Sequence, residues 1–315
     1  MAQVGLGEAD RVEITVLVDN YTDLFLLEDQ GPMRRSRLGA GRAPLAEHGL
    51  AVLARVRCGS DEHTIMLDAG LSSKALLHNI EAGKLDPAEI ETLVLSHGHL
   101  DHFGGLTGLL KTVPAGMQVV CHPDAFLRRR LNPGGRNPLR EMPALDPDRL
   151  ASAGADVRPV EGASLWCGDL ALALGRVERI TDFETGFAWA EAYIDGGWTR
   201  DPFNDDQGLA FRVKDRGLVV LGGCSHAGIV NTVHYARKVS GTDRVCAVLG
   251  GFHLTGPIFE PIIEPTIQEM KKIDPEYIIP MHCTGWKAIN RFEQAMPDRF
   301  LLNSVGTRYV FGEED

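Results

Sequence analysis

The sequence predicts a mixed α/β (α+β) fold in which polar side chains collect where strands end, and one short segment carries most of that prediction. The apolar run from Glu91 to Leu95 is bounded by polar residues, as a buried strand usually is. It continues into residues 96–102, Ser-His-Gly-His-Leu-Asp-His, and two glycines then open a helix. This order places three imidazoles and one carboxylate at the carboxyl end of a strand, where α/β proteins usually hold their chemistry.

Strand ends carry histidine again in the second half of the chain. His226, His253 and His282 each follow an apolar run and have glycine or another small residue nearby. Any one of them could equally be structural, so the repetition is what favours a site. Because the carboxyl ends of neighbouring strands open into one crevice, we expect these side chains to converge on the first cluster.

The residues before this segment predict paired strands followed by a helix. Alternating, β-branched residues predict a strand over 12–19, and the Asp61-Glu62 turn joins strands predicted at 50–56 and 64–67. Ser72 or Ser73 is the expected cap of a helix that ends near Ala82. Residues 20–44 are polar and rich in glycine and arginine, which predicts a loop insertion beside the first strand.

The second half predicts a further layer of strands and helices. The strands are predicted at 117–121, 209–213, 218–221, 244–249 and 277–281, and the helices at 124–130, 231–239 and 261–273. Residues 125–150 and 181–207 lack a clear overall period, and we predict cap or loop insertions over the site there. The whole chain, residues 1–315, is predicted to be one domain.

Composition and charge exclude several classes of function. The chain is 44% hydrophobic with a net charge of −11, which argues against nucleic acid or an acidic membrane as partner. The six cysteines are scattered with no Cys-x-x-Cys pair, so reduced thiols in a cytoplasmic protein are expected. Residues 1–11 lack the apolar core of a signal peptide. The composition is compatible with a monomer and with a homo-oligomer.

Residues 97–102 have the ligand chemistry of a divalent first-row metal. Imidazole and carboxylate together suit zinc, iron or manganese. The pattern His-x-His-x-Asp-His resembles the signature of the metallo-β-lactamase superfamily. The resemblance implies a four-layer αββα sandwich with two metal sites, His97 and His99 in the first and Asp101 and His102 in the second. It also makes His282 the last ligand.

The resemblance extends to residues that support the metals. Asp68 matches an aspartate that orients ligands without binding metal. Cys224 stands where the superfamily has a bridging aspartate or a cysteine ligand. No histidine occurs between His122 and His226, so His226 is inferred to complete the first site. The alternatives for that ligand are Cys224, Asp182 and Glu184.

One branch of the superfamily is especially similar, the dihydropterin-type branch named for 7,8-dihydropterin-6-methyl-4-(β-D-ribofuranosyl)aminobenzene-5′-phosphate synthase. The similar segments are Val18-Asp19-Asn20, Glu47-His48-Gly49-Leu50, Thr181-Asp182-Phe183-Glu184 and residues 223–232 and 250–254.

The expected reaction is metal-assisted hydrolysis or condensation on a phosphorylated or otherwise anionic small molecule. Two divalent ions, zinc first with iron or manganese as alternatives, would clamp a leaving group or activate water. Asp101 is the expected proton acceptor, and His253 and His48 are expected to contact substrate or protonate the leaving group. Arg136 and Arg140 are expected to receive a phosphate.

Two other classes of function remain alternatives. The first is a metal-binding sensor or ligand-binding protein of the same fold without turnover. The second is an iron oxidoreductase, which is weakened because His99 is present where that group has glutamate, and because the chain has no room for its flavin domain.

Overall fold

Two β-sheets pack face to face in the computed structural model, which describes residues 3–37, 42–133 and 141–313. The strands are β1 (Glu8–Ala9), β2 (Arg11–Val18), β3 (Met33–Arg34), β4 (Ala51–Cys58), β5 (Asp61–Leu67), β6 (Thr92–Val94), β7 (Gln118–Cys121), β8 (Arg129–Leu131), β9 (Asp156–Pro159), β10 (Ser164–Trp166), β11 (Ala171–Ala173), β12 (Ala190–Ile194), β13 (Gly197–Arg200), β14 (Gly208–Val213), β15 (Gly217–Gly222), β16 (Val245–Gly251), β17 (Tyr277–Met281) and β18 (Arg308–Gly312). The helices are α1 (Ser73–Ala82), α2 (Leu100–Phe103), α3 (Leu106–Leu109), α4 (Pro147–Ser152), α5 (Ile229–Ser240), α6 (Ile263–Ile273) and α7 (Trp286–Ala295).

The first sheet has the order β3-β18-β2-β4-β5-β6-β7-β9. Its hairpin β4–β5 is antiparallel, whereas β5, β6, β7 and β9 run parallel. Side chains alternate along these strands because successive residues of a strand point to opposite faces. Val52 and Ala54 therefore face the second sheet, while Leu53 packs with the helices outside.

The second sheet has the order β10-β11-β14-β15-β16-β17, with β1 beside β14. Strands β15, β16 and β17 are parallel, so their carboxyl ends share one edge. Helices α5, α6 and α7 cover its outer face, while α1, α3 and α4 cover that of the first sheet. The architecture is thus the predicted four-layer αββα sandwich.

The helix predicted over 124–130 is wrong. A 3₁₀ turn spans Pro123–Phe126, and Arg129–Leu131 is strand β8, which pairs with β12. With β13 these strands form a third, three-stranded sheet built from the two segments predicted as caps or loops. The alternation of the arginines explains the strand: Arg129 is buried, whereas Arg128 lies over the Tyr193 ring. Within the described part of the chain, no helix has the length and apolar character needed to cross a bilayer.

Candidate metal centre

The predicted metal ligands lie at the carboxyl ends of strands in both sheets. His97 and His99 follow β6, His226 follows β15, and His282 follows β17. The loop between the first two histidines requires glycine, because a Cβ at Gly98 would lie 2.0 Å from the backbone oxygen of Ala125. This close contact of the chain with itself fixes the positions of both neighbouring imidazoles.

The first donor cluster consists of His97, His99 and His226, whose donor atoms lie within 4.8 Å of one another. The Nε2 atoms of His97 and His226 are 3.3 Å apart. Among the described residues, the buried Nε2 of His99 has no hydrogen-bond partner. Burial lowers the pKa of His99 to about 3 and lowers the pKa of His97 and of His226 well below the usual value. All three imidazoles are therefore neutral and offer lone pairs.

The second donor cluster consists of Asp101, His102, Cys224 and His282. The Asp101 Oδ2 atom lies 3.6 Å from His102 Nε2 and 3.5 Å from His282 Nε2. The Cys224 Sγ atom lies 3.1 Å and 3.4 Å from the same two nitrogens. Nitrogen, sulfur and carboxylate oxygen thus surround one point.

Asp68 orients the second cluster without joining it. Its Oδ2 is 2.6 Å from His102 Nδ1, and it accepts hydrogen bonds from the backbone N–H and the hydroxyl of Ser96. The bond turns the other nitrogen of His102 towards Cys224. Burial lowers the pKa of His102, but the charges of Asp68 and Asp101 outweigh burial and raise it to about 9.

The donor atoms present fit divalent cations. The buried Nε2 atom of His99 has no hydrogen-bond partner among the described residues, and a cation beside it would supply one. The facing Nε2 atoms of His97 and His226 are close enough to bind the same ion. Burial also raises the pKa of the Cys224 thiol well above its usual value, and a bound cation would instead favour the thiolate. Asp101, the three imidazoles of the first cluster and the two of the second are the other donors that could bind such ions.

Comparison with known proteins agrees with this geometry. The family model of the metallo-β-lactamase superfamily matches residues 47–237. The chain belongs to the metallo-β-lactamase superfamily. The resemblance predicted from residues 97–102 is therefore confirmed.

Relatives within the superfamily cover nearly the whole chain. The 7,8-dihydropterin-6-methyl-4-(β-D-ribofuranosyl)-aminobenzene-5′-phosphate synthase of Methanocaldococcus jannaschii is 29% identical, over 94% of this chain and 96% of its own length. An uncharacterised protein of the same organism is 30% identical over 83% of this chain and 92% of its own length. The crystal structure of a metal-dependent hydrolase of the β-lactamase superfamily has a TM-score of 0.73 at 24% identity, covering 96% of this chain and 100% of the other. That likeness supports the fold.

Besides Asp68, three buried aspartates hold the loops of the donor clusters in place, and these three were not predicted. Asp205 accepts a hydrogen bond from the Gly98 amide, and Asp206 accepts from the amides of His226 and Ala227. Their sequence signal is the polar run 204–207 immediately before the buried strand β14. Asp19, at the end of β2, similarly accepts from the His282 amide.

Glu184 lies outside both donor clusters. Its two oxygens accept hydrogen bonds from the amides of Val230 and Asn231 in the first turn of α5, so they stabilise a helix terminus. Burial raises the pKa of Glu184 to about 7. Asp182, the other carboxylate considered for the first site, is exposed and is also absent from both clusters.

His48 and His253 border the clusters on opposite sides. The exposed His48 has its Nε2 atom 3.4 Å from Asp101 Oδ2. The half-buried His253 ring is 4.2 Å from the His226 ring and 4.4 Å from the Phe259 ring. A small cavity of about 80 Å³ lies beside His226 and His253 and is lined by apolar and polar side chains in similar number.

The three consecutive arginines at residues 128–130 are already paired with acidic side chains. Arg128 binds Glu141, and Arg130 binds Glu191. Arg129 is 2% exposed and its guanidinium binds Asp201 and Asp205 at 2.7 and 2.8 Å. Arg136 and Arg140, the predicted phosphate ligands, lie outside the described residues.

Proposed function

We propose that this chain is a metal-dependent enzyme that holds two divalent cations, zinc in the first instance, and acts on a small phosphorylated molecule with a planar ring. The observation that carries the proposal is the place of Cys224. Its Sγ atom belongs to the second cluster and also lies within 4.8 Å of donor atoms of His226 and His253. One sulfur therefore adjoins both donor clusters, as expected of two cations that share a site.

The protein's own side chains would position substrate and move protons. Two adjacent divalent cations supply Lewis acidity. The Asp101 side chain is 19% exposed and lies beside the exposed His48, so its carboxylate can accept a proton from a reacting group. The Nδ1 atom of His253 has no hydrogen-bond partner within the described ranges and can donate a proton to a leaving group. The exposed His48 would contact the substrate.

Aromatic side chains beside the metal clusters favour a substrate with a ring. Phe187 lies parallel to the His226 ring at 6.3 Å and contacts Phe259 and Trp189. Planar rings stack on such surfaces. The synthase relative carries both a dihydropterin and a phosphate in its name, which supports a ring-bearing phosphate as substrate here. The substrate panel described next distinguishes hydrolysis from condensation.

The test combines metal analysis with a substrate panel. The purified holoprotein is assayed with esters, lactones, thioesters, phosphodiesters and a dihydropterin pyrophosphate, alongside Asp101→Asn and the control Asp182→Asn. We expect at least two metal equivalents and turnover that is lost in Asp101→Asn and kept in the control. Bound metal without turnover of any compound would refute the proposal that the protein is an enzyme and would favour a metal-binding sensor.

A further inference from the structure

A second set of donor side chains lies at the opposite end of the sandwich from the metal centre. His63 is near the start of β5, and Glu91 immediately precedes β6. Ser96 lies five positions after Glu91 in the chain, a distance of roughly 16 Å at the rise of a β-strand. Cys167 comes from the other sheet, in the turn between β10 and β11. Three distant segments of the chain thus meet there.

These three side chains are arranged closely enough to share one ion. His63 Nδ1 is 2.9 Å from Glu91 Oε2, and one donor atom of each of the three residues lies within 4.8 Å of the others. The His63 side chain is 26% exposed and that of Glu91 46%, while Cys167 is half-buried. The group is therefore accessible to an ion from solvent yet partly shielded from water.

We propose that His63, Glu91 and Cys167 form a zinc site that joins the two sheets. Imidazole nitrogen, thiolate sulfur and carboxylate oxygen are the three ligand types of protein-bound zinc. Bond lengths of 2.0–2.3 Å place neighbouring ligands of a tetrahedral ion about 3.5 Å apart. The present spacing approaches that value, so small side-chain movements suffice, and a water molecule would take the fourth position.

The charge of the site supports a cation. Glu91 contributes a carboxylate to the group, and a positive ion held between the three side chains would balance its negative charge. Binding would release the thiol proton to solvent as the zinc–sulfur bond forms.

The test counts zinc. The holoprotein, Cys167→Ser, His63→Gln and the control Cys58→Ser are dialysed to equilibrium against the same zinc buffer, and bound metal is measured. Cys58 is a suitable control because it is a nearby, exposed free thiol that is absent from the donor set. We expect one equivalent fewer in Cys167→Ser and in His63→Gln than in the wild-type protein, and no loss in Cys58→Ser.

The difference of one equivalent is independent of how many ions the metal centre holds. Far-UV circular dichroism verifies the fold of each variant, and the His63 variant keeps the test decisive if Cys167→Ser does not fold. Equal zinc contents in wild type and both ligand variants would show that His63 and Glu91 form only a surface ion pair. The proposal would then be overturned, whatever the enzyme assay shows.

Discussion

Replacement of Arg129 is the sharpest test of how the metal centre is supported. The guanidinium is 2% exposed and lies between Asp201 and Asp205, whose side chains are fully buried. Asp205 in turn accepts a hydrogen bond from the amide of Gly98, between two metal ligands. Arg129→Ala would leave two buried carboxylates without their cation.

The expected cost follows from that burial. Removal of one partner from a buried ion pair typically costs about 3–5 kcal/mol, which is a large share of a total stability of about 5–15 kcal/mol. With a urea dependence of about 3 kcal/mol per molar, the unfolding midpoint should fall by about 1–1.7 M. Urea titration followed by circular dichroism measures this shift.

An exposed ion pair provides the matched control. Arg158 binds Asp156 at 2.6 Å, but both side chains are exposed. Such pairs contribute about 0–1 kcal/mol, so Arg158→Ala should lower the midpoint by less than about 0.4 M. If Arg129→Ala shifts the midpoint no more than Arg158→Ala does, the buried pair does not support the fold and the reasoning is wrong.

Three further predictions concern the metal ligands. Gly98→Ala should lower the amount of bound metal at least tenfold, because the new Cβ would overlap a backbone oxygen. The control Gly162→Ala should leave the metal content unchanged, because a Cβ there meets no described atom within 4 Å. His226→Ala should lose metal from the first cluster, whereas His253→Ala should keep all of its metal but have a lower turnover rate. Metal content is measured by elemental analysis, and the opposite pattern would reverse the roles of the two histidines. Removal of metal by a chelator, like the substitution His97→Ala, should abolish turnover and leave the far-UV circular dichroism spectrum unchanged. The reason is that the apolar core rather than the metal supplies most of the stability. Unfolding on chelation would contradict this prediction.

Local pattern was enough to predict much of the fold and part of the site. Helix α1 begins after the predicted Ser72 cap, whose hydroxyl accepts from the Ala75 amide. The hairpin β14–β15 and the strand β17 also lie where alternation and apolar runs predict them. Residues 97–102 identified the superfamily because four ligand-type side chains fall within six consecutive residues.

What sequence reasoning missed depends on contacts between distant residues. The local sequence around β8 predicts a helix. The segment is a strand because it pairs with β12 and because Arg129 forms ion pairs with Asp201 and Asp205. Helix α7 and strand β18 were not predicted, although Tyr309 and Phe311 alternate as strand residues do. His226 could be inferred only by elimination, since its place beside His97 depends on how the two sheets pack.

Each donor cluster draws its ligands from both sheets. His97 and His99 lie in the loop after β6 and Asp101 and His102 in helix α2, next to the first sheet, whereas Cys224, His226 and His282 follow strands of the second sheet. The amount of bound metal therefore reports whether the two sheets are packed against each other. A solvent or mutation that separates the two sheets, but leaves each sheet and its helices folded, would release the ions. Metal release should therefore precede the loss of the helical circular dichroism signal when the protein is titrated with denaturant. A colorimetric zinc indicator would then record the opening of the interface as a separate, earlier transition.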